Sequence, residues 1–94
     1  MDKKKSAPVL LIIFNRPDKV KTLVEALSRV EPSRIYISAD GPRAGIELDK
    51  IRCDEARRAA QQIQWPCEIF TNFSDVNLGV DLGMESAMSW FFRM

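Results

Sequence analysis

At 94 residues the chain has room for a single domain, and its 46% hydrophobic content supports a packed core and excludes a disordered chain. A formal net charge of +1 gives no general pull toward nucleic acid or an anionic membrane. Histidine is absent, which excludes Ser–His and Cys–His nucleophile pairs.

Residues 1–7 hold the one dense charge run, Lys3, Lys4 and Lys5, and read as a flexible, solvated basic tail. Residues 9–14 form a continuous apolar, β-branched run, the pattern of a strand buried on both faces in a helix-covered parallel sheet. The run is far too short to span a bilayer. Asn15, Arg16 and Pro17 follow it in place of a small-residue cleavage site, so neither a transmembrane segment nor a signal peptide is expected. Pro17 suits a first helical position and Asp18 the exposed N–H groups of a first turn. Val20, Leu23, Val24, Leu27 and Val30 then make one apolar stripe at helical spacing, and Pro32 ends it.

Residues 34–39 read as a second strand, closed by Asp40, Gly41 and Pro42. A helix is expected over 47–62, with Leu48, Ile51, Ala56, Ala59, Ala60 and Ile63 as a looser stripe. Pro66 stops it, because the preceding Trp65 is pushed out of the α region. A short third strand is expected over 67–71, then a polar loop over 72–79. In the last helix Val80, Met84, Ala87, Met88 and Phe91 share a face, and Trp90, Phe91 and Phe92 read as core. Cys53 and Cys67 have no metal-ligand spacing. They read as reduced packing residues in a cytoplasmic protein.

Strands alternating with helices predict an α/β fold, a three-layer Rossmann-like βαβαβα arrangement with a mainly parallel sheet. In such sheets the C-terminal strand ends lie along one edge, where ligands bind. Those ends carry Asn15 and Arg16, residues 38–43 and residues 72–79. The first loop lacks the G-x-G-x-x-G of a dinucleotide fold, and no Gly-Lys-Ser/Thr of a P-loop exists. No carboxylate pair stands out as a general acid and base, so no catalytic residue is assigned.

Three segments carry a resemblance: VLLIIFNRP at 9–17, IYISADG at 35–41 and NLGVDLG at 77–83. In order and spacing the chain resembles the N-terminal part of GT-A fold glycosyltransferases, the nucleotide-diphospho-sugar transferase superfamily, with a family-2-like third segment. The resemblance runs from Pro8 to Phe92. It implies an incomplete GT-A domain over residues 1–94 that supplies the nucleoside-diphosphate half of a donor site. Asp40 would then accept a hydrogen bond from a uracil N–H or a ribose hydroxyl, or else serve as a turn residue before Gly41. Arg16 and Arg43 would neutralise a diphosphate, or else be exposed loop charges. Asn15 would bind the nucleoside or cap the first helix. Asn77 reads first as a helix cap, and Asp81 would face the sugar. Gly41 and Gly79 would belong to the nucleotide-binding set with Asp40, and Gly79 and Gly83 would allow close backbone approach.

The Asp-x-Asp-type motif by which GT-A enzymes hold a divalent cation against the diphosphate is absent from the 94 residues. The expectation is a truncated chain or gene fragment, inactive alone, whose intact enzyme uses Mn2+ or Mg2+, a nucleotide-sugar donor and a glycan or other acceptor. An exposed edge on the first strand would favour self-association. The rival readings are a sugar nucleotidyltransferase and a small non-catalytic α/β binding or interaction module. The nucleotidyltransferase usually needs a Gly-rich first loop, which is missing here.

Overall fold

The computed structural model describes residues 7–94; the lysine run at 3–5 lies outside them. The elements in chain order are β1 (Val9–Ile13), α1 (Pro17–Leu27), β2 (Arg34–Ala39), α2 (Glu47–Ala60), β3 (Glu68–Phe73) and α3 (Gly79–Arg93). The sheet is wholly parallel in the order β1-β2-β3, with Ile13 beside Ala39 and Ala39 beside Phe73 at the C-terminal edge. This is an α/β fold compatible with a Rossmann-like arrangement.

Period-two alternation sorts the strand residues between two faces. Leu11, Ile13, Ile35, Ile37 and Ala39 pack with Val20 and Val24 of α1 and with Ala56, Ala59 and Ala60 of α2. Ile35 and Ile37 are wholly buried, and each such side chain contributes about 1.5–3 kcal/mol. Trp65 closes this layer by donating its Nε1–H to the Pro32 carbonyl at 2.9 Å. On the opposite face Tyr36 stacks on Phe70 at 4.7 Å and meets Trp90 and Phe91 of α3 edge-on.

Three expected stripes are corrected. In α1 only Val20 and Val24 are buried, and Val30 lies beyond the helix and is exposed. In α2 the inward face is Asp49, Cys53, Ala56 and Ala60, while Leu48 and Ile51 are exposed. Small residues let α2 approach its neighbours closely, and Asp49 is tolerated inside because arginine pairs with it (below). In α3 Ala87 alone is buried, and Phe92 is exposed, not core. The third strand runs two residues further than expected, to Phe73. Cys53 is buried, and both cysteines are free thiols. No helix among the described residues is long and apolar enough to cross a membrane.

Candidate functional site

The C-terminal ends of the three strands and the first turns of α3 border a half-open cavity of about 640 Å³. That volume falls within the range of small-molecule and cofactor sites. Its floor is Ile12, Ser38 and Asn72, and its α3 wall is Gly79, Val80, Gly83 and Met84. Asp40, Arg43 and Asn77 also line it. Ser38 and Asn72 are paired across the β2–β3 register, and the Asn72 side-chain amide donates to Ser38 Oγ at 3.3 Å.

Asp40 organises the wall. Its Oδ1 accepts the backbone N–H groups of Gly41 and Leu78, both at 2.8 Å. Its Oδ2 accepts the Gly79 N–H at 3.1 Å and the Asn77 Nδ2 at 3.2 Å. A helix N-terminus leaves its first N–H groups without intrahelical acceptors and carries positive partial charge. Here the capping anion comes from the end of β2, 38 residues before Leu78. Asn77, expected as that cap, instead donates its amide to Asp40 and to the Gly41 carbonyl at 3.0 Å. Leu78, at the N-cap position itself, supplies no side-chain cap bond. A full negative charge on both N–H groups outcompetes a neutral amide.

Arg57 of α2 braces the same corner. Its Nη2 donates to the Asp40 carbonyl at 3.1 Å and to the Ser74 carbonyl at 2.8 Å. Its guanidinium lies 4.8 Å from the centroid of the Phe73 ring. Beside it Gly41 is buried against the Ser74–Val76 backbone, where no side chain fits. Gly79 has φ +86°, a left-handed conformation that favours glycine at the start of α3.

A second polar cluster anchors Arg43, which lines the cavity. Asp49 Oδ2 accepts the Arg43 backbone N–H at 3.1 Å and its Nε–H at 2.6 Å. Asp49 Oδ1 accepts Arg43 Nη2 at 2.9 Å and Asn15 Nδ2 at 3.0 Å. The Asp49 side chain is 3% exposed and that of Arg43 51%. The Arg43 hydrogen bonds hold the Asp49 carboxyl well below the usual carboxylate range, against the opposing pull of desolvation, with help from Asn15. Because the folded value lies below the unfolded one, the stability this gives is present above the unfolded pKa and is lost as pH falls through and below it. The wild-type urea midpoint is therefore expected to fall progressively below about pH 5. Asp49→Asn should flatten that slope. An unchanged slope in the variant would place the acid sensitivity elsewhere.

The expected site residues divide. Asp40, Arg43, Asn77 and Gly79 line the cavity, and Gly41 stands directly behind its wall. Asn15 neither caps α1 nor lines the cavity; it braces Asp49. Arg16 turns to Asp18 in a bidentate surface pair at 3.2 and 3.3 Å, in a separate groove with Asn15, Arg52 and Glu55. Asp81 is exposed on the first turn of α3, off the cavity wall. Comparison with protein-family models, curated proteins and solved structures finds no match to this chain.

Asp49 and Arg57 went unmarked in the sequence reading. An acid in a helix's first turn is ordinary, and an arginine on a helix reads as solvent-facing. The only available signal was that both sit on the α2 face that carries Cys53, Ala56 and Ala60. Among the described residues no three Asp, Glu or Cys side chains converge on a point. Asp40 and Asp49 also have their oxygens engaged by protein donors, so this set does not fit a divalent cation.

Proposed function

We propose that this chain contributes the nucleoside-diphosphate half of the donor site of a nucleotide-sugar-dependent glycosyltransferase of GT-A type. The observation that carries the reading is the cavity at the C-terminal edge of a parallel sheet. It gathers Asp40, Arg43 and Asn77, from the loops after β2 and β3, and Gly79, the first residue of α3, around one volume. The apolar patches Ile12, Phe14 and Met84 suit the flat face of a base or ribose. Ser38 and Asn72 supply hydrogen-bonding groups for its polar edge. The half-exposed Arg43 guanidinium suits phosphate oxygens. The cation, the acceptor and the transfer chemistry belong to other parts of the intact enzyme.

Asp40 is the organiser of this half-site. Its four protein donors hold α3 against the strand ends, so a ligand donor reaches its carboxylate only by displacing one of them. The test is calorimetric titration of the chain with UDP-, GDP- and dTDP-sugars, with and without Mn2+. One nucleotide is expected to bind, with amide shifts in NMR centred on Ser38, Asn72 and Gly79. Binding of none, or shifts confined to other surfaces, would sink the reading.

A separate observation bears on the self-association expected of an open β1 edge. Val80, Met84, Met88 and Phe92 form an exposed apolar stripe along α3, and Ile12 is exposed on β1, which is a sheet edge. Open edges and contiguous apolar patches invite association. Light scattering at increasing concentration is expected to show a mass above the monomer. A clean monomer with cooperative unfolding would count against self-association.

A further inference from the structure

We infer that Asp49 is a positioning residue that holds one edge of Arg43, so that the adjoining edge stands as a preformed fork for phosphate oxygens at the cavity lining. The inference rests on the nucleotide reading above and extends it to a residue on α2.

Three observations converge. First, a guanidinium has five N–H donors in one plane. Asp49 takes Nε–H and one Nη2–H, which is one complete edge of Arg43. The adjoining edge keeps both Nη1 hydrogens and the second Nη2 hydrogen, for which no acceptor is found among the described residues. Those N–H groups can form a second fork matched to phosphate oxygens. Second, the anchor is buried and the head is not. Asp49 is 3% exposed, whereas Arg43 is 51% exposed and lines the cavity. Third, the anchor is over-determined. Arg43's own backbone N–H and the Asn15 amide complete the four bonds to Asp49, and the guanidinium lies 5.8 Å from the Phe14 ring centroid. Long side chains lose rotamer freedom on binding, and an arginine already pinned loses less.

The pair is neutral overall, so this site recognises by directed N–H groups rather than by field. Phosphate affinity held this way is expected to depend only weakly on salt.

The experiment measures affinities of the full chain for UDP, GDP and dTDP and for the corresponding nucleosides, by calorimetry. In Arg43→Lys and Asp49→Asn, diphosphate affinity should drop about tenfold or more, the scale of a charge-assisted hydrogen bond lost. Affinity for the uncharged nucleoside should stay within about twofold, a split that a merely structural role would not produce. Without any variant, NMR of the free wild type should show the Arg43 Nε–H protected from exchange. The Nη1 resonances should shift on adding UDP or whichever diphosphate binds. Diphosphate and nucleoside affinities falling together, or Nη1 resonances that ignore the diphosphate, would overturn the positioning role and leave the cavity reading standing. A wild type that binds neither nucleosides nor diphosphates would overturn both.

Discussion

Replacing Gly41 with alanine is expected to lower the melting temperature by roughly 10 °C, the effect of about 2 kcal/mol of overpacking in a domain of this size. A Cβ on Gly41 would stand 2.6 Å from the Val76 carbonyl oxygen and 2.7 Å from that of Ser74. Both are backbone atoms and cannot rotate away. The Ser74 backbone is fixed at both ends, since its N–H donates to Ala39 at 2.9 Å and its carbonyl accepts Arg57. Relief therefore means prising the β2 end away from the loop before α3, which pulls on Asp40 and Asn77 as well. Gly83→Ala is the matched control. Its Cβ would meet only the Asp40 carboxylate, Oδ2 at 3.4 Å and Cγ at 3.7 Å, ordinary contacts. Alanine is favoured over glycine inside a helix by roughly 0.5–1 kcal/mol, so this variant should be neutral or slightly stabilised. Thermal denaturation of both proteins decides the matter. Equal midpoints would show that the corner yields more easily than its geometry implies.

The contrast between these two glycines shows where sequence reading reached and where it stopped. The strand at 34–39 was legible because both faces of this central parallel strand are buried, whereas the apolar run at 9–14, read as buried on both faces, forms the edge strand β1 and leaves Ile12 exposed. Pro17 marked the start of α1 correctly for the same local reason, its fixed φ. The α2 face was misread because its inward positions are small or charged. Asp49 looks like a surface residue until Arg43, six positions earlier, is seen to fold back upon it. Asn77 looked like a cap because caps are usually supplied by the chain entering the helix. The actual cap crosses from another strand, a contact no local window contains. Asp40, Arg43, Asn77 and Gly79 were legible as a group only through topology, because parallel strands bring their C-terminal loops to one edge. The hydrogen bonds that set each residue's role are long-range, and those were not.

The second large effect is expected at Asp40. Asp40→Ala should cost about 3 kcal/mol, more than the 0.5–2 kcal/mol typical of a lost helix cap, because charged acceptors are worth more and four donors lose a partner together. The distinguishing variant is Asp40→Asn, which preserves shape. An amide oxygen can replace Oδ1 toward Gly41 and Leu78, but the amide NH2 must then face the Gly79 N–H and the Asn77 NH2, two donors against a donor. Asparagine should therefore recover only part of the loss. Hydrogen exchange locates the damage. Leu78 and Gly79 amides should exchange far faster in either variant, while Ile35 and Ile37, at the centre of the core, keep most of their protection. Because α3 forms one wall of the cavity, loosening its first turn should also abolish measurable nucleotide binding before the domain itself unfolds. Wild-type protection at Leu78 and Gly79 in Asp40→Asn would mean that the α3 terminus is held by something other than this carboxylate. Asp40 would then be free to meet a ligand directly. The same exchange experiment thus separates the two roles open to this residue, organiser of the wall and reader of the nucleoside.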